Sequence, residues 1–339
     1  MWDERFFPLH LNKVDMQAVM LSQYGSPDQL TIKDVLTPQP KNGEVLVKVH
    51  ATSINDWDWS MVRGKPYIYR LLYGIRKPKI TIPGTEVAGV VESTGSGANR
   101  FKIGDRVYGD LSDGTFGAFA QYVCVAESAL ALMPNRMTFE QAAATPHAAM
   151  LALQGLVEVG HIRQGERVLI NGAGGGVGMF AVQIAQEYGC EVTGVDSHFK
   201  LDALSLLGFD HTLDYRKVDY TSAGQRYDLI LDAKSNRSPF RILKALNPGG
   251  RYVTVGGSLP RLLQILFVGL VMKVCGMKSK SLTVLALKPN KGIEIINTRF
   301  ESVGLKYLID GPYKLEEIPR ALERFGKGDH VGKVVITVA

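Results

Sequence analysis

Cysteine is scarce in these 339 residues: Cys124, Cys190 and Cys275 lie far apart and form no CxxC pair. That spacing supports neither a disulfide framework nor a cysteine-rich zinc site, and it suits a reducing compartment, the cytoplasm being the simplest. Long apolar runs are also missing. The most apolar stretch, Leu262–Met272 (LLQILFVGLVM), is bounded by Arg261 and Lys273. A membrane span needs about 20 such residues, so a buried helix, a subunit contact or a pocket wall is expected, with a membrane-surface helix the lesser alternative. The beginning, MWDERFFPLHLNKVD, has three acidic residues and no continuous apolar core, so neither a secretory nor a transit peptide is expected. Basic residues outnumber acidic ones 39 to 33, but they are scattered. With no basic run and no basic-aromatic patch, a nucleic-acid surface is not expected. No internal repeat or low-complexity linker divides the chain, which is long enough for two packed domains.

Glycine, in contrast, is concentrated where it carries information. In Glu166–Gln186 (ERVLINGAGGGVGMFAVQIAQ) a short apolar run, Val168 to Ile170, reads as a buried strand. A glycine turn follows, then a helical segment with apolar Phe180, Val182, Ile184 and Ala185. Strand, glycine turn and helix form the arrangement that holds a dinucleotide pyrophosphate, because glycine lets the backbone approach and free N–H groups at the helix start meet negative charge. The pattern departs from strict G-x-G-x-x-G: Ala173 takes the first glycine position, Gly175 the second and Gly178 the third. Glu191–Asp196 (EVTGVD) reads as a second strand, with Asp196 placed to bond an adenine ribose.

Texture divides the chain. Met16–Asn55, Lys79–Val91, Asp105–Tyr108 and Gly117–Val125 read as strands of a compact, partly open barrel separated by glycine and proline turns. From about Phe139, helix-prone and strand-like segments alternate, which argues for a parallel sheet with helices on both faces. Pro146 is expected to break the alanine-rich stretch Phe139–Leu156. Leu315–Phe325 and Lys333–Val338 return to the first texture as an amphipathic helix and a strand.

The segments PGTEVAGVV (Pro83–Val91), FKIGDRVYG (Phe101–Gly109), AAATP (Ala142–Pro146), NGAGGGVG, LDY (Leu213–Tyr215), NPGGRYVTVGG (Asn247–Gly257) and GKVVIT (Gly332–Thr337) occur in a specific order. In that order the chain resembles the medium-chain dehydrogenase/reductase superfamily, and within it the zinc-independent quinone oxidoreductase branch. The resemblance implies an α/β protein: a GroES-like β-barrel catalytic domain with an inserted Rossmann doubly wound parallel sheet. Its implied parts are residues 1–142 (with a short extension, 1–15), the nucleotide-binding insertion 143–287, and a return to the catalytic domain over 288–339. It also implies a homodimer, and hydride transfer from NAD(P)H to a quinone or α,β-unsaturated carbonyl. A zinc-free carbonyl reductase or alcohol dehydrogenase, and a silent nucleotide-binding scaffold, are the alternatives.

Where zinc-dependent relatives carry metal ligands, this chain has Asn55, Thr85 and Pro146 or His147. Zinc needs three or four well-placed N or S ligands, so no metal is expected and His147 reads as a packed or hydrogen-bonded histidine. Without a Lewis acid, an acceptor that is already electron-poor is the natural substrate. The resemblance places Gly174, Gly175, Gly176, Val177 and Gly178 around the pyrophosphate, Gly256 and Gly257 at the nicotinamide, Thr145 on the nicotinamide-side wall, and Lys333 near the phosphates. Asp196 favours NADH, whereas Lys200 and Tyr215, with Ser197 and Arg216 adding a hydroxyl and a charge, match a 2′-phosphate site; the balance leans to NADPH. Asn55 and Asp58 are the catalytic candidates, Asn55 as a donor to a substrate oxygen and Asp58 as a proton relay if burial raises its pKa. The competing reading makes Asn55 a helix cap and Asp58 a surface residue. Trp57 and Trp59 read as packing residues.

Overall fold

The structure, a computed structural model, describes residues 15–277 and 279–338; the extension expected over 1–15 therefore lies, but for Asp15, outside the described residues. Strands β1 (Asp15–Met20) and β2 (Thr31–Leu36) pair antiparallel. Next come β3 (Glu44–Ser53), helices α1 (Asp56–Arg63) and α2 (Ile68–Tyr73), then β4 (Glu86–Thr94), β5 (Arg106–Asp110), β6 (Tyr122–Ala126) and β7 (Ala131–Leu132). Helices α3 (Phe139–Ala143) and α4 (Pro146–Leu153) follow, separated at Pro146 as expected, because proline suits a first helical turn and not a helix interior.

The next segment alternates: β8 (Arg167–Asn171), α5 (Gly176–Glu187), β9 (Glu191–Asp196), α6 (Leu201–Leu207), β10 (His211–Asp214), β11 (Tyr227–Asp232), α7 (Pro239–Lys244), β12 (Leu246–Thr254), α8 (Leu259–Val274) and β13 (Ser281–Val284). These strands form a parallel sheet in the order β10-β9-β8-β11-β12-β13. Successive residues of each strand are buried on opposite faces. Val168, Ile170, Leu229 and Leu231 pack in the cluster that contains α4 and α5, while Leu169 and Ile230 pack with Ile242 of α7 and Ile265 of α8. That is why these strands read as apolar runs rather than as alternating patterns. The strand order reverses between β8 and β11, and the loops at their C-terminal ends leave a crevice there.

Last come α9 (Ile293–Val303), β14 (Ile309–Lys314), α10 (Ile318–Lys327) and β15 (Lys333–Thr337). They rejoin the N-terminal strands: β15 runs antiparallel to β3, with Val335 opposite Ser53, in a sheet ordered β14-β15-β3-β4-β5-β7, and β6 also pairs with β3. The two ends of the chain thus build one body around the parallel sheet. Gly332, just before β15, also donates its N–H to the Gly174 carbonyl at 2.8 Å, tying that body to the glycine turn. The apolar stretch Leu262–Met272 lies in α8, where Ile265 and Met272 are buried but Leu263, Leu266, Phe267 and Leu270 are exposed. Of the alternatives, a wholly buried helix is not what forms, since one face of α8 packs against the sheet, while Leu262 at its start agrees with a pocket wall.

Candidate active site

A cleft of about 850 Å³ opens at the reversal point, between the two bodies. Gly172, Gly175, Gly176 and Val177 form one side, with Ala233, Lys234, Val255, Gly256 and Gly257 next to them. Gly176 and Val177 are the first residues of α5 and line this space, and the amides of a helix's first turn have no partners within the helix. Two of the glycines leave no room for a side chain. A Cβ on Gly178 would sit 2.1 Å from the Ala173 carbonyl oxygen, and one on Gly174 would meet Lys200 at 2.6 Å. Gly178 therefore lets α5 lie directly against the end of β8, the role expected of a third motif glycine. The turn fits a dinucleotide pyrophosphate: its backbone is bare and helix amides are presented to an anion.

Asp196 ends β9 as expected, and its carboxylate is held in place. Oδ2 accepts from the Gly174 N–H at 2.8 Å, and Oδ1 accepts from the Ser197 N–H at 2.8 Å and lies 3.7 Å from Lys200 Nζ. Lys200 is buried, and that burial pulls its pKa down although Asp196 works the other way. Tyr215 lies just beyond β10, partly exposed, with the Arg216 guanidinium 5.7 Å from its ring centre. Sequence reasoning missed His330. It lines the cleft, stacks on Phe325, and has an Nδ1 that is buried without a partner among the described residues. Burial and the Lys200 and Lys234 charges push its pKa down to about 3. No spacing signal marked it.

The catalytic-side candidates belong to a buried polar network. Asn55 Nδ2 donates to Thr85 Oγ1 at 3.0 Å and to Glu86 Oε2 at 2.7 Å, and its Oδ1 accepts from Lys333 Nζ. Both amide hydrogens are therefore used within the protein. This corrects the expectation that Asn55 donates to a substrate oxygen; it lines the cleft as a spacer. Asp58 is fully buried rather than on the surface, and accepts from the Asn55 N–H (2.9 Å), the Thr85 hydroxyl (2.9 Å) and the Gly84 N–H (3.2 Å). Burial pushes its carboxyl up to about 7, against those hydrogen bonds and the Lys333 charge. The pKa rise is present, but Asp58 reaches inward to the start of α1 and the Gly84 loop, so it positions the wall.

Lys333 departs from both readings of it. Its ammonium is buried and lies 2.5 Å from Glu86 Oε2, so it is neither solvated nor directed at the glycine turn. A buried cation requires a carboxylate partner, and Glu86 supplies it. Only its stem nears the turn: a Cβ on Gly176 would meet Lys333 Cδ at 3.1 Å. Thr145 likewise turns away from the cleft; its hydroxyl donates to the Gln141 carbonyl at 2.6 Å and lies 3.1 Å from the Tyr307 hydroxyl. A β-branched hydroxyl with an adjacent carbonyl in reach satisfies itself locally.

His147 is the second residue of α4 and lines the cleft. Its N–H donates to Glu86 Oε1 at 2.7 Å, and Nδ1 lies 2.8 Å from Asp110 Oδ2. Apolar side chains also line the cleft, among them Trp57, Leu151, Leu259, Leu262, Leu285 and Leu287. The donor set does not suit zinc. Asn55 and Thr85 offer an amide and a hydroxyl, Glu86 is paired with the Lys333 ammonium, and the His147 nitrogen nearest these groups faces Asp110. Among the described residues no group of three or more His, Cys, Asp or Glu is arranged to hold a metal ion.

Comparison with known proteins agrees with this architecture. Residues 41–135 match the family described as alcohol dehydrogenase GroES-like domain, and residues 207–336 match the one described as zinc-binding dehydrogenase. The chain is 32% identical to a chloroplastic quinone-oxidoreductase homolog of Spinacia oleracea, over 95% of this chain and 98% of the relative. It is 30% identical to a 2-methylene-furan-3-one reductase of Solanum lycopersicum, over 95% of this chain and 79% of the relative. The structure of the quinone oxidoreductase from Coxiella burnetii superposes with a TM-score of 0.83 at 26% identity, covering 96% of this chain and all of that one. With its glycine turn at the switch point of a parallel sheet, inside a body built by both chain ends, the chain belongs to the medium-chain dehydrogenase/reductase superfamily of NAD(P)H-dependent oxidoreductases, among its quinone-oxidoreductase-like members.

Proposed function

We propose that the protein is an NADPH-dependent reductase of quinones or α,β-unsaturated carbonyl compounds. One observation carries the reading: the cleft joins a dinucleotide-binding turn to an apolar wall, while the polar groups that zinc relatives use for metal are tied to one another. When bound, the reduced nicotinamide supplies a hydride. Gly174–Gly178 would hold the pyrophosphate, and Gly256 and Gly257 would leave room for the nicotinamide. Residues of the apolar wall exclude water and orient a flat, conjugated acceptor.

The preference for NADPH rests on the cations near the end of β9. Lys200 offsets the Asp196 charge from 3.7 Å, and Asp329 interacts with both Lys200 and Arg216, which puts the two cations in one neighbourhood. Ser197 and Tyr215 supply hydroxyls beside them. The exposed face of α8 and the edge strand β13 support a homodimer, and the three free cysteines suit the cytoplasm.

The test is oxidation of NADPH and NADH with a simple quinone, an enone and an aldehyde side by side. NADPH should be consumed with the quinone or the enone faster than with the aldehyde. K200A should weaken NADPH binding about tenfold more than NADH binding, and D196A should raise the preference for NADPH by a factor of about ten. Aldehyde as the best acceptor would make the protein a carbonyl reductase. Binding of both nucleotides without turnover of any acceptor would make it a scaffold.

A further inference from the structure

We infer that His147, held by Asp110, is the catalytic proton donor to the anion left when a conjugated carbonyl accepts hydride in this cleft. The inference rests on the reductase reading and adds to it the residue that completes the reduction.

The geometry fixes the ring. Asp110 is fully buried, and its carboxylate is constrained on both oxygens: Oδ1 accepts from the Ser112 N–H at 2.8 Å, and Oδ2 meets His147 Nδ1 at 2.8 Å. Its backbone is clamped by Asn290, whose Oδ1 accepts from the Asp110 N–H and whose Nδ2 donates to its carbonyl, each at 2.8 Å. The His147 backbone is held by Glu86. With Nδ1 committed, the imidazole has one working nitrogen left. Among the described residues no side chain or backbone group bonds Nε2, and the residue lines the cleft that Gly176 and Gly256 also line. The polar groups of the neighbouring Asn55–Lys333 network are spent on each other: both Asn55 amide hydrogens, the Lys333 ammonium and the Asp58 carboxyl.

Three charged groups face His147, from three strands: Asp110 of β5, Glu86 of β4 and Lys333 of β15. Burial and the Lys333 charge disfavour an imidazolium, but the two carboxylates outweigh them and raise the pKa. The ring is thus protonated on the acid side of its raised midpoint and can give up the Nε2 proton there.

The balance for an enone is as follows. The hydride forms a new bond to the β-carbon, and the alkene π pair moves into an enolate. The Nε2–H bond of His147 breaks and its proton joins the enolate. Neutral imidazole then regains a proton from water. A quinone leaves a hydroquinone monoanion instead, a weakly basic oxyanion that can leave the cleft as it is and take its proton on oxygen from solvent, whereas the enolate must take its proton on carbon, a slow transfer that a placed donor accelerates. His147 should therefore matter much more for enones than for quinones.

The first measurement needs no variant and no cofactor. Histidine ¹⁵N NMR of the wild-type protein should show one ring that titrates above the ordinary histidine range, and D110N should lower that midpoint. In kinetics with NADPH, H147Q should lose about 100-fold in enone reduction and lose its pH dependence, with a much smaller loss in quinone reduction. Equal losses on both acceptors, unchanged enone reduction, or a His147 ring that stays neutral across the titration would each overturn the inference. Those results leave the reductase reading standing, whereas wild-type protein that reduces neither acceptor would remove that reading itself.

Discussion

Lys333 and Glu86 show what a single buried pair does here. The ammonium and carboxylate meet at 2.5 Å with both side chains almost wholly out of solvent. Two isolated ions at this depth could not persist, so each depends on the other. K333M should destabilise the protein by about 3–5 kcal/mol, because it leaves the Glu86 carboxylate buried with only neutral donors. The double variant E86Q/K333M should recover much of that loss. Urea denaturation of the three proteins at neutral pH measures both; a double variant no more stable than K333M would mean that the charge pairing is not the cause. At this scale the sequence was only partly informative. Asn55, Asp58 and Lys333 were recognised as site-side residues, but the direction of their side chains was not legible, because it is set largely by partners 26 to 278 positions away. Asp110 left no signal at all: its partner His147 lies 37 residues on, in a different element.

Among the elements, β8, the glycine turn and α5 were legible almost completely, since each follows from local rules. A buried strand needs apolar residues on both faces, a tight turn needs glycine, and the helix starts where side chains again pack on the sheet. G178A tests this. The added Cβ would fall 2.1 Å from the Ala173 carbonyl, a backbone atom that cannot rotate away. α5 must then shift off β8, at a cost of about 1–3 kcal/mol, and calorimetry should show nucleotide affinity reduced at least about tenfold. Wild-type affinity in a stably folded G178A protein would mean that the turn does not carry the pyrophosphate. Helix α8 was less legible. Its composition alone suits burial, yet Leu266 is 50% and Phe267 68% exposed, because the sheet ends at β13 and offers the helix only one face.

For the whole molecule, that unfinished edge matters. Among the described residues β13 has a neighbour on one side only, and α8 lies against it closely enough that a Cβ on Gly269 would meet the Leu282 carbonyl at 2.6 Å. A bare edge strand beside exposed leucines is a liability unless something covers it. A second copy placed edge to edge would extend the sheet and bury both helices' outer faces. L266E/F267E should therefore shift the protein from dimer to monomer in sedimentation equilibrium. A wild-type protein that sediments as a monomer would refute the dimer.

The amino-acid sequence by itself determined the parallel sheet, the position of its nucleotide turn and the return of the last strand to the first body. The first two follow from periodicity and turn chemistry within a few residues, and the third is what the order of the family's motifs implies. Only the tertiary structure decided which polar groups face the cleft. The folding of β15 against β3 carries Lys333 onto Glu86, and the packing of α4 against β5 brings His147 to Asp110. A buried charge takes whichever partner the fold places within reach, and that distance in space has no counterpart in distance along the chain.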